Sequence, residues 1–85
     1  MIYLALTSAS TGDVLAIAGV DDVHRLCTGA GAVDADLSRS RLYHRLKDLR
    51  GRDEPLLVAV LEEVPKFKAM EPGALAWLRE HLPPR

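Results

Sequence analysis

Asparagine and glutamine are missing from this chain altogether, and arginine outnumbers lysine eight to three. Loss of thermolabile amides is a thermophile habit, and a GC-rich bacterial genome imposes the same bias, so a bacterial source, with thermophily as one route to the pattern, is the expectation. Cysteine is almost missing too. Cys27 stands alone, which excludes an internal disulfide and removes the usual sign of an oxidising compartment. No apolar run approaches the roughly 18 residues of a membrane-spanning helix, and Met1-Ile2-Tyr3-Leu4 lacks the basic start of a secretory leader. A cytoplasmic chain with no membrane partner is expected. Aromatic residues are few, namely Tyr3, Tyr43, Phe67 and Trp77, so any core has to be built from aliphatic side chains.

The 85 residues are enough for one small domain spanning 1–85. A chain of this size buries only about 60–65% of the surface its unfolded form exposes. Association with a second copy is the simplest way to bury more, so a homodimer is expected.

What is present is a set of short apolar segments between turn signals. Leu56–Leu61, Leu-Leu-Val-Ala-Val-Leu, is bracketed by Pro55 and by Glu62-Glu63-Val64-Pro65. An uninterrupted apolar run this short predicts a central strand buried on both faces. Met1–Thr7 predicts a second strand, with Ile2, Leu4 and Leu6 on one face and Tyr3 and Ala5 on the other. Ser8–Asp13 is turn chemistry. Val14–Val20 reads as a strand paired with the first, although its alanines would also suit a helix beginning at Thr11. Asp21 can cap a short helix over 21–28 with Val23, Leu26 and Cys27 inward.

The clearest helix lies over 37–50. Leu42, Leu46 and Leu49 recur at helical spacing, Asp36 or Ser38 can cap it, and Gly51 follows it. Lys66-Phe67-Lys68-Ala69-Met70 alternates like an edge strand guarded by lysines. A last helix is expected over 72–82, opened by Pro72, lined by Leu75, Leu78 and Leu82 with Ala74 or Trp77, and stopped by Pro83-Pro84. Together these predict an α+β fold: a two-layer domain with a mixed or antiparallel sheet of three or four strands and about three helices.

Charge is segregated within a chain whose formal net charge is −1. Residues 1–38 carry five acids against the single base Arg25, whereas residues 39–52 carry Arg39, Arg41, Arg45, Lys47, Arg50 and Arg52 against Asp48. Projected on a helix, Arg41, Arg45 and Arg52 share one flank of the leucine stripe, and Arg39 and Arg50 the other. Guanidinium groups in such an array suit an anionic partner such as nucleic acid. The competing reading is a solvated face, with Asp48 spaced for helix-surface pairs with Arg45 and Arg52. Ser38–Leu49, Ser-Arg-Ser-Arg-Leu-Tyr-His-Arg-Leu-Lys-Asp-Leu, resembles the recognition helix of bacterial helix-turn-helix regulators, which would imply DNA as the partner. The resemblance stops at that helix. The stretch from Thr28 to Asp36 is longer than the three- or four-residue turn of the motif, no wing turn follows Leu56, and the chain opens with a strand.

Catalytic and metal chemistry find little support. His24 and Cys27 lie one helical turn apart, but His44 and His81 would have to join them to make four zinc ligands. Glu62 and Glu63 are neighbours and point to opposite faces of any strand that includes them. Gly29-Ala30-Gly31 opens like a phosphate-binding loop, yet Asp34 stands where the third glycine belongs and would repel a pyrophosphate. The expectation is therefore a non-enzymatic interaction or regulatory module without a cofactor, acting as a homodimer. Nucleic-acid binding through the basic helix is the alternative.

Overall fold

A computed structural model describes residues 1–83 of the chain; Pro84, half of the expected stop after the last helix, lies outside them. The elements are β1 (Ile2–Leu6), α1 (Thr11–Leu15), β2 (Val20–Cys27), β3 (Ala30–Ala35), α2 (Arg39–Leu49), β4 (Leu57–Leu61) and α3 (Ala74–His81). All strand pairs are antiparallel, in the order β2-β3-β1-β4. This is the α+β class read from the residues, with four strands in one sheet and three helices among the described residues.

Alternation along β1 decides the layering. Ile2 and Leu4 join Leu26, Trp77, Leu78 and Leu82 in a core under α3. Tyr3 and Ala5 join Val14, Val33, Leu42 and Leu46 in a core under α1 and α2. Helices therefore cover both faces, and the expected two layers are three, because β1 and β3 are apolar on both sides. The Tyr3 hydroxyl, buried with its ring, donates to the Leu37 carbonyl at 2.6 Å and ties β1 to the entry of α2. Ser38 caps α2, its hydroxyl accepting from the Arg41 amide at 3.2 Å. The helix leaves through Arg50 in extended backbone, and Gly51 is not left-handed.

Five segments depart from expectation. The stretch from Thr28 to Asp36, which reads in the sequence as a connection, holds the strand β3. The residues predicted as a helix over 21–28 form β2. Asp22, His24 and Leu26 alternate with Val23 and Arg25, and the tight Thr28-Gly29 turn, with Gly29 at φ 81°, folds β3 back along them. The strand predicted over 14–20 is instead the end of α1 and a turn. Ser10 caps α1 through the Asp13 amide at 3.1 Å, so the helix beginning at Thr11 is the form adopted. Gly19 then reverses the chain at φ 96°, where a Cβ would sit 2.8 Å from Leu37. The segment 66–70 is irregular. Phe67 and Met70 still turn inward onto the α3 core, but the lysine alternation finds no ladder. Finally, β4 is a strand but not the central one. It occupies the sheet edge beside β1, and Leu57 remains 49% exposed. In α3, Ala74 and Trp77 take the inner positions with Leu78, and Leu75 is exposed.

Candidate functional site: the open edge of the sheet

Direction of the backbone groups follows from three bonds at the sheet margin. Met1 and Ala35 exchange both main-chain hydrogen bonds, at 3.2 and 3.0 Å, and the Thr7 amide donates to Gly29 at 2.9 Å. Directly opposed residues alternate between exchanging both bonds and exchanging none. Odd-numbered residues of β1 therefore face β3, and Ile2, Leu4 and Leu6 bond to their register partners Leu61, Ala59 and Leu57. Val58 and Val60 are left with amide and carbonyl pointing away from the sheet, their side chains packed into the core beneath α2.

The opposite edge is closed. β2 carries bulges between Val20 and Asp22 and between Arg25 and Cys27. The outward Val23 amide is capped by its neighbour, Asp22 Oδ1, at 2.9 Å, and the Leu26 carbonyl accepts from the Glu71 amide at 2.8 Å. Asp21, Asp22, His24 and Arg25 add charge and polarity. These are the devices that keep an edge from pairing with another chain. Leu57–Leu61 has none of them: no bulge, charge or internal proline. Leu6 and Leu57, paired across the ladder, are 43% and 49% exposed at the end of this edge.

The sequence-predicted basic residues are placed as follows. Arg39, Arg41, Arg45 and Lys47 lie on the exposed side of α2. Arg52 falls beyond the helix, in the turn before β4, so it does not share a helical flank with Arg41 and Arg45. Arg50 is engaged: its Nε donates to the Ser8 hydroxyl at 3.0 Å, and an Nη lies 3.6 Å from Glu54, which also accepts from Ser8 at 2.6 Å. Among the described residues, Arg39, Arg41, Arg45, Lys47, Arg52 and Asp48 form no ion pair, so the Asp48 pairs allowed by spacing are not made. No second helix packs before α2 in helix-turn-helix fashion; β3 precedes it.

The candidate metal ligands do not converge. His24 and His81 flank Trp77, at ring-centroid distances of 6.1 and 3.7 Å. His44 sits edge-on to Tyr43 on α2, and Cys27 lies at the far end of β2. Among the described residues no three His, Cys, Asp or Glu side chains gather as a metal site. Asp22 joins the tryptophan stack instead. The Trp77 indole N–H, donating to Asp22 Oδ2 at 2.9 Å, holds that carboxyl below the ordinary carboxylate range; burial opposes it, and the Val23 amide and His81 add to it. Sequence spacing gave no sign of this cluster, because its members lie on β2 and α3. Nor did a list of side chains reveal the β4 edge, whose functional groups belong to the backbone.

Comparison with protein-family models, with curated proteins and with solved structures finds no significant match for this chain.

Proposed function

We propose that this chain is a non-enzymatic interaction module that works as a homodimer, two copies joining β4 to β4 in antiparallel fashion. One observation carries the reading: of the two edges of the sheet, β2 is blocked and β4 is open.

The residue order at that edge suits a twofold axis. Leu57-Val58-Ala59-Val60-Leu61 reads the same in both directions. Centred on Ala59, self-pairing sets Leu57 of one copy against Leu61 of the other and Val58 against Val60. The outward amides and carbonyls of Val58 and Val60 then bond to each other across the axis, and the two Ala59 residues form the close, non-bonded pair. Leu57 gains a leucine neighbour. The same register brings Glu62 of one copy beside Leu56 of the other, at the end of β4 to which α2 delivers Arg50 and Arg52. Two four-stranded sheets become one of eight strands, within the range of open sheets.

Sedimentation velocity tests this. The expected mass at micromolar concentration is twice the 9.3 kDa of one chain, falling towards one chain on dilution; a folded monomer throughout that range defeats the proposal.

A second reading is favoured by Arg39, Arg41, Arg45 and Lys47 of α2, which form no ion pair among the described residues. In such a dimer both α2 helices lie on one side of the joined sheet, doubling a basic face that would meet a polyanion. Binding of that kind weakens with salt by a slope of about −0.9 per phosphate neutralised on duplex DNA. Replacing Arg41, Arg45 and Arg52 together with alanine should abolish salt-sensitive retention on heparin or DNA. Failure of the unaltered protein to be retained at low salt removes this reading.

A further inference from the structure

We propose that a cavity of about 400 Å³ between α1 and the β2–β3 hairpin binds a small aliphatic carboxylate. It exists because α2 packs over the β4 side of the sheet, while the β3 and β2 side is roofed by α1, a helix of five residues. Ala5, Val14, Val23 and Val33 form its apolar lining, and the volume is within the range of small-molecule sites.

Two features point to an occupant and to its charge. The first is Gly31, the second residue of β3, which lines the cavity. A glycine weakens a strand; this one stands opposite Arg25, where β2 bulges, yet its φ is not positive, and a Cβ would meet only ordinary contacts, at 3.5 Å to the His24 carbonyl and 4.0 Å to Val23. The space above Gly31 could hold a side chain and is left open. The second is the charge of the lining. Five acids and one base lie within residues 1–38, yet none of the acids lines the cavity and the base, Arg25, does. Its guanidinium is braced by Glu71 at 2.8 Å through Nε and by the Thr28 hydroxyl at 3.3 Å through Nη2. The remaining N–H groups of the fork are left for a carboxylate. An apolar floor with one braced cation at the rim matches a short hydrocarbon chain ending in an anion.

The site is separate from the β4 edge and stands or falls independently of dimerisation. The test uses octanoate and its neutral isostere octanamide, followed by amide chemical shifts and by alkylation of Cys27, the lone thiol, which also lines the cavity. Octanoate is expected to shift the Gly31 and Val33 amides, to slow Cys27 alkylation, and to bind about tenfold tighter than octanamide, the worth of a charge-assisted hydrogen bond at a half-open rim. Arg25→Gln should level the two probes. Gly31→Leu, which fills the space from the floor and suits a strand, should stay folded and lose the shifts. Absence of localised shifts with the unaltered protein, persistence of the carboxylate preference in Arg25→Gln, or undiminished binding by folded Gly31→Leu would each overturn the assignment.

Discussion

Asp22 is approached from three directions: the Trp77 indole and the Val23 amide both donate to it at 2.9 Å, and His81 Nε2 lies 3.4 Å away. Directly across the ladder stands Asp34, a like charge that would destabilise the pair if both stood alone; the Met1 amino group, 4.0 Å from Asp34, offsets it. His24, on the same face of β2, stacks on the other side of Trp77, and its Nε2 is buried without a partner among the described residues. A carboxyl whose folded pKa is depressed contributes stability above its unfolded value, near 3.9, and that contribution is lost as pH falls through the lower folded value. Acidification below about pH 4 should therefore loosen α3 from β2. Trp77, the one tryptophan, reports it directly. Its fluorescence is expected to change at acid pH in the unaltered protein and to lose that component in Asp22→Asn; an identical acid profile in both would show that Asp22 does not hold the helix. Partial exposure of Asp22 keeps the effect modest.

At the scale of elements, what could be read from residue order is what local periodicity alone decides. β1 alternates cleanly, and the Leu42–Leu46 spacing with Ser38 before it marks α2 to within two residues. The β2 segment is ambiguous in sequence because Val23, Leu26 and Cys27 satisfy a helical spacing as well as Asp22, His24 and Leu26 satisfy a strand. Only the ladder with β3, a partner of alanines and glycine with weak strand preference of its own, settles the matter, and tertiary pairing of this kind overrides propensity. Leu56–Leu61 shows the opposite limit. Its apolar composition identifies a strand and suggests a central one, but β4 lies at the sheet edge, and an edge strand able to pair with a second copy would carry the same residues. The basic residues of the candidate site could be read directly, whereas the outward backbone of Val58 and Val60 depends on a register that residue order does not reveal. Ala59→Lys tests the element. Its side chain lies on the half-covered face, and two copies would set lysines against each other across the axis. We expect the mass to drop to that of one chain with the circular dichroism of the sheet retained. A folded dimer in this variant would move the interface elsewhere.

For the whole molecule, the acidic first third, the basic α2 and the two unlike edges describe a polarised object. One end of the sheet is sealed by bulges, Asp22 and the Glu71 segment, and the other ends in five apolar residues, of which Val58 and Val60 turn their backbone groups outward. Amide hydrogen exchange along β4 reads this most directly. Leu57, Ala59 and Leu61 bond to β1 and should be protected at every concentration. Val58 and Val60 should be protected at high concentration and exchange quickly on dilution, as the second copy leaves. Rapid exchange at Val58 and Val60 at all concentrations, beside protected neighbours, would mean that the edge stays in water and that no second copy pairs with it.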